Sequence, residues 1–249
     1  ADLLVDDEGA ATFTGVTGSP NLPVKSAFQK KFGGGSRDGF VAKLAPAGNS
    51  LIYASFLGGP SYDYVYDMNA DRQGNIYVVG HTYGSFPQNN AFQKSRKGSV
   101  ESFIAKIAAD GKSLVYSSYL GGSGVDSAYG VAVGEDGAAL IAGHTQSRDF
   151  PVKSPVQAAL RGSADCFLTV VDPSGLKLLS STYLGGTYRD YAFGLALDPN
   201  GAVYLCGRTN SADFPVLEPY QSALAGDEDA FVLKLSRGDN RRPPRQKAD

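Results

Sequence analysis

The chain has 249 residues, 42% of them hydrophobic and 19% charged, with a formal net charge of −2. That length builds a substantial hydrophobic core, and the near-neutral charge supplies no field to recruit nucleic acid or an anionic membrane. No apolar run approaches the roughly 18 residues of a membrane span, so a soluble protein without membrane insertion is expected.

Thirty-one glycines and 14 tyrosines against one methionine favour strands and turns over helix. In chain order, Ala1 enters partway into a pattern that recurs about every 64 residues. A fixed period marks a repeat architecture. An opening in mid-pattern reads as a processed or truncated piece of a longer chain with neighbouring domains.

The first copy runs through the turn "DDEG", the element "GVTGSPNLP" from Gly15, a loop holding Gln29, "DGF" at 38–40, the turn "APAG" and "YASFLGG" at 53–59. The second has Asp63, "DRQG", "GHTYGSFP" from Gly80, Gln93, "ESF" at 101–103, "AADG" and "YSSYLGG" at 116–122. The third shows the strands most plainly: "YGVAV" (129–133), "ALIAGHT" (139–145), "CFLTVV" (166–171) and "KLLSSTYL" (177–184), with Asp126 before them and Gln157 in the long loop. The fourth has Asp190, "DPNG", "GRTNSADFP" from Gly207, Gln221 and "DAF" at 229–231, with no further Leu-Gly-Gly peptide.

These runs are β-branched and aromatic, and Asp, Asn, Pro and Gly bound them, which predicts two tight hairpins per copy. The long loop keeps fixed internal positions and is expected to be packed, anchored by Phe28, Phe92, Val156 and Tyr220 beside the glutamines.

Four antiparallel strands per repeat is the composition of a β-propeller blade, the long loop accounting for a period above the roughly 40–50 residues of familiar blades. A β-solenoid, with shorter coils, does not predict two hairpins per period. The Leu-Gly-Gly peptide is then the last strand of one blade and the turn into the next.

The predicted fold is all-β, a propeller of about four blades at 1–59, 60–122, 123–186 and 187–236. Fifteen strands are expected where four full blades need sixteen, so the last blade lacks its outer strand and leaves an edge at "AFVLKLS". A closed ring is the favoured arrangement, with Val5 and Phe13 of the first blade packed against Leu195 and Val203 of the last. An arc of a larger propeller is the alternative. Residues 237–249 lack apolar side chains and are expected to be a disordered polar tail, its "RGD" at 237–239 a chance match.

"DGFVAKLAPAGNSLIYASFLGG" (38–59) and "DCFLTVVDPSGLKLLSSTYLGG" (165–186) resemble the bacterial β-propeller repeat family called SBBP, and the likeness extends over residues 1 to about 236. It implies a propeller in a large secreted or surface-associated bacterial protein, hence an extracellular or cell-surface location. No common activity comes with the family, so it assigns no catalytic residue. Two departures stand out: "GVTGSPNLP" lacks the phenylalanine of the other copies, and the final "STYLGG" is missing.

Signature motifs of hydrolases, zinc proteases and nucleotide binders are absent. His81 and His144 share a repeat position with Val16 and Arg208. They read as polar loop-end residues, well separated on different blades, with a ligand-binding role for His81, His144 and Arg208 as the alternative. Asp63, Asp126 and Asp190 each fall six residues after a motif leucine, just before the first strand. They are expected to hold the crossover turn by accepting backbone N–H groups. The alternative is a ring at the channel mouth, where convergent oxygens suit a hard cation such as Ca²⁺.

Asp38, Glu101, Asp165 and Asp229 take the same turn-holding reading. Cys166 and Cys206 lie in different repeats and are expected to be unbonded, small packing residues. Together these readings describe a non-enzymatic scaffold or binding module with a protein or glycan ligand. The alternative is an extracellular carbohydrate-active hydrolase or lyase using acids at the channel mouth, which would need two carboxylates roughly 5–10 Å apart.

Overall fold

The computed structural model describes residues 1–235. Fifteen strands form four antiparallel sheets, each in simple chain order. The first blade holds β1 (Asp2–Val5), β2 (Ala11–Thr17), β3 (Asp38–Leu44) and β4 (Leu51–Leu57), and the second holds β5 (Asp63–Ala70), β6 (Ile76–Thr82), β7 (Glu101–Ile107) and β8 (Leu114–Leu120). The third holds β9 (Asp126–Val133), β10 (Ala139–Thr145), β11 (Asp165–Val171) and β12 (Leu178–Leu184); the fourth holds β13 (Asp190–Leu197), β14 (Val203–Thr209) and β15 (Asp229–Leu235). The aspartates expected just before the first strands are the opening residues of β5, β9 and β13. Among the described residues no helix is long and apolar enough to cross a membrane.

The hairpin turns follow from their residues. In "DRQG", Asp71 Oδ1 accepts the N–H of Gln73 at 3.0 Å and of Asn75 at 2.9 Å. Gly74 then closes the turn at φ +80°, a conformation open to glycine. Gly9, Gly137 and Gly201 repeat it at +80° to +82°.

β1, β5, β9 and β13 contact one another in succession and are the innermost strands. Between neighbouring sheets lie three apolar cores. Val41, Tyr53 and Leu57 meet Val65, Met68 and Phe103. Tyr77, Ile104 and Leu120 meet Val131, Ile141 and Phe167. Leu140, Cys166 and Leu168 meet Ala192, Val203 and Leu205. Alternation along each strand sends successive side chains to opposite blade neighbours, so both faces of a middle blade are apolar.

No fourth core joins the last blade to the first among the described residues, and the expected ring is replaced by an open arc. Leu195 and Val203, expected at the closure, face the third blade instead. The pattern shows that both faces are apolar but says nothing about the angle between blades, which decides closure.

The two cysteines are unbonded as expected. Cys166 is buried in the third core, but Cys206 is exposed, because its face of the last blade has no neighbour among the described residues. The outer edge of β15 has no strand partner among the described residues. Residues 237–249, with their "RGD", lie outside the described residues.

Candidate functional site

The acidic residues and the loop glutamines form one clamp, built three times. Gln29, Gln93 and Gln157 each accept, through Oε1, the N–H of the first glycine of the crossover, Gly58, Gly121 and Gly185, at 3.0–3.1 Å. Asp63, Asp126 and Asp190 each accept the N–H of the second, Gly59, Gly122 and Gly186, at 2.7–2.8 Å. Ser147 and Ser211 add hydroxyl donors to Asp126 and Asp190 at 2.8 and 2.9 Å. Glu101 and Asp165 hold the long loop from the other side: Glu101 accepts the N–H groups of Lys97 and Gly98, and Asp165 those of Arg161 and Gly162.

Each crossover thus sits between two acids. A methyl group placed on Gly58 would lie 2.7 Å from Asp38 Cγ and 2.8 Å from Asp63 Oδ2. The same position on Gly121 meets Glu101 and Asp126, and on Gly185 meets Asp165 and Asp190. Burial pushes the carboxyls of Asp38, Asp63 and Asp126 up to about 6, with Asp38 adding to the rise at Asp63 and Glu101 to that at Asp126. All six acids are fully buried. Asp63, Asp126 and Asp190 face the backbone of their crossovers, and Asp38, Glu101 and Asp165 bind that of their long loops; among the described residues no group of three or more His, Cys, Asp or Glu side chains is placed to hold a metal ion.

A different set of side chains lines the inner strands. Each of β5, β9 and β13 contains a bulge, where one residue drops out of register with the second strand: Tyr66, Tyr129 and Phe193. The bulge drives the carbonyl of Tyr64 against Gly80, where a Cβ would lie 1.7 Å from the oxygen. Gly143 and Gly207 are approached in the same way. That is the physical reason for the glycine that opens the Gly-x-Thr element in the last three blades.

The bulged rings meet across blades, Tyr66 to Tyr129 at 4.9 Å and Tyr129 to Phe193 at 5.4 Å between centroids. Tyr64 on β5 and Tyr62 just before it extend the row, and Tyr83 packs at 5.9 Å from Tyr62. Tyr62 and Tyr83 are exposed.

His81 and His144 are buried strand residues within this row, not the separated loop-end residues expected. His81 lies 5.1–5.3 Å from Tyr64, Tyr66 and Tyr83. His144 lies 4.4 Å from Tyr191 and 5.6 Å from Tyr129, so one chain of rings links the two imidazoles. His81 Nδ1 pairs with Ser127 Oγ at 3.0 Å, while His81 Nε2 and His144 Nδ1 are buried without a partner. Burial lowers both histidines to about 4, helped at His144 by His81 and Arg208, and both rings are neutral at neutral pH. Arg208 ends the row with its guanidinium 4.7 Å above Tyr191. It borders an open polar depression of about 510 Å³ with Tyr188, Arg189, Asn210 and Glu228.

The structure therefore gathers His81, His144 and Arg208 into one aromatic row and keeps Asp63, Asp126 and Asp190 in separate crossovers. The tyrosines were the residues sequence reasoning missed. Their signal was present: an aromatic stands three residues after each of Asp63, Asp126 and Asp190.

The SBBP family model, described as a beta-propeller repeat, matches residues 52–87 and 181–215. Both segments run from a fourth strand, through the glycine crossover, to the Phe-Pro that follows the next blade's second strand. No curated protein matches the chain.

Proposed function

We propose that this chain, built from SBBP β-propeller repeats, is a non-enzymatic scaffold and binding module of a secreted or cell-surface bacterial protein, and that its ligand is a glycan. The observation that carries this reading is the ring row with its exposed end at Tyr62 and Tyr83. Planar rings offer stacking area to the apolar faces of sugar units, and uncharged imidazoles and phenols suit hydroxyl groups rather than ions. The location rests on the resemblance to repeats of secreted and surface-associated proteins.

The test is a glycan and peptide array probed with the wild-type chain and with Tyr62→Ala/Tyr83→Ala. Glycan binding that weakens at least about tenfold in the variant, a loss near 1.4 kcal/mol, supports the reading. Binding to peptides alone, or glycan binding that the variant retains, overturns it.

A carbohydrate-active enzyme is the second reading, favoured by the acid pairs Asp38 with Asp63, Glu101 with Asp126 and Asp165 with Asp190. Their burial beneath the crossover and their threefold repetition weigh against it, since acid–base catalysis needs groups within reach of substrate. Release of reducing ends from bound glycans separates the two.

A further inference from the structure

The three blade junctions serve as internal controls for the two blade faces that have no neighbour. Val41, Ile104, Leu168 and Val232 occupy one repeat position on the face turned toward the following blade. The first three are 0%, 0% and 8% exposed, whereas Val232, with no following blade among the described residues, is 79% exposed. Cys206 is exposed where Thr14, Val79 and Ala142 are buried.

The opposite face shows the same contrast. Met68 and Val131 are each 2% exposed where they receive the preceding blade, and their equivalent Leu3 is 59% exposed. The first blade thus presents the receiving half of a blade junction, and the last presents the donating half.

From this we infer that the two open faces bind each other between copies of the chain, the last blade of one molecule packing on the first blade of a second. One detail selects that occupant. At the first two junctions an aspartate reaches the next blade's inner strand: Asp2 accepts the N–H of Met68 at 3.3 Å, and Asp67 that of Val131 at 2.7 Å.

At the third junction a glycine replaces the aspartate, and Leu195 packs close over Gly130, its Cβ 2.9 Å from where a glycine Cβ would stand. The last blade carries Gly194 at that position, and the first blade carries Leu3 at the position of Leu195. A copy-to-copy junction repeats the Gly–Leu pairing already made at the third. Such a contact is heterologous, so it closes as a ring or extends as a filament.

The experiment is light scattering coupled to size exclusion on the wild-type chain, on Leu3→Lys, on Val232→Lys and on an equimolar mixture of the two variants. Both substituted residues are exposed, and a single cooperative thermal transition with the wild-type strand content confirms that each variant folds. The inference requires wild type to run as two or more copies, each variant alone as a monomer, and the mixture as a two-copy species formed through the one intact pair of faces.

Alkylation of Cys206 gives a second readout on the unmodified protein, expected to slow at least about tenfold from dilute to concentrated solution as the thiol becomes covered. A monomeric wild type whose Cys206 reacts at one rate throughout overturns the inference. A wild-type assembly that either variant leaves intact, or that the mixture fails to restore, overturns it as well.

Discussion

The side chain of Gln157 binds Gly185 with its oxygen at 3.0 Å while its nitrogen donates to Asp165 at 2.7 Å. One neutral amide therefore satisfies a backbone donor and a buried carboxylate together. Glutamate would bring a second negative charge to Asp165, and leucine would leave both partners unpaired. Gln157→Leu is expected to lower stability by about 2–3 kcal/mol, read as a shift in the urea midpoint, because each orphaned buried group costs about 1–3 kcal/mol. An unchanged midpoint would remove the glutamine from the clamp.

The histidines and aspartates titrate against each other. His144 has a folded value near 4 against an ordinary 6.5, so the unfolded chain takes the proton first, and the contribution of His144 to stability is lost as pH falls from 6.5 to 4. Asp38, Asp63 and Asp126 run the other way. With folded values near 6 against 3.8, their contribution is present below about pH 4 and lost as pH rises through 6. Comparing wild type with His144→Gln isolates the imidazole: between pH 6.5 and 4 the wild type should lose on the order of 3 kcal/mol relative to the variant. Parallel stability curves would show that the ring is not held neutral by burial.

Lys106 meets Asp71 at 3.1 Å, with side chains only 10% and 4% exposed. Asp71 also organises its own turn, accepting from Asn75 Nδ2 at 2.8 Å as well as from the two backbone groups described above. Lys106→Met removes one partner and leaves the turn bonds, whereas Asp71→Ala removes the turn bonds and strands a buried ammonium. Chemical denaturation should therefore rank Asp71→Ala as the more damaging, by about 3–5 kcal/mol relative to wild type. Equal effects would assign the ion pair no special place in the turn.

Thiol reactivity separates the two cysteines. In dilute native protein Cys206 should react with an alkylating reagent and Cys166 should not, since burial raises the Cys166 thiol well above its ordinary value and closes access. Mass spectrometry should find one label before unfolding and two after. Two labels in the native state would contradict the third core.

Much of this structure was legible in the chain. The strands, turns and crossover followed from period, composition and glycine placement, and the clamp was half-visible in Gln29, Gln93 and Gln157. Closure was not legible, since Leu195 and Leu3 are equally apolar whether their faces meet a blade or water. The ring row was hidden for a different reason. A bulge at Tyr66, Tyr129 and Phe193 breaks the two-residue alternation on which face assignment depends. The phenylalanine missing from "GVTGSPNLP" also has a visible effect. Phe86, Phe150 and Phe214 pack on Phe103, Phe167 and Phe231 at 3.9–4.7 Å between centroids, while Phe40 has no counterpart of that ring and lines a depression of about 590 Å³ on the open face of the first blade.

The clamp does not respect the boundaries between sheets. Its glutamine comes from the long loop of one blade, its glycines from the end of that blade, and its aspartate from the first strand of the next. The smallest cooperative segment is therefore shifted by half a blade relative to the sheets, and neighbouring blades are coupled as in other repeat proteins. A gene fragment cut between Gly59 and Pro60 would sever Gly59 from Asp63 and yield two unclamped halves. A fragment running from before Gln29 to beyond Thr82 keeps one clamp whole, and the long loops, not the glycine crossovers, are where this chain can be shortened or lengthened by whole units.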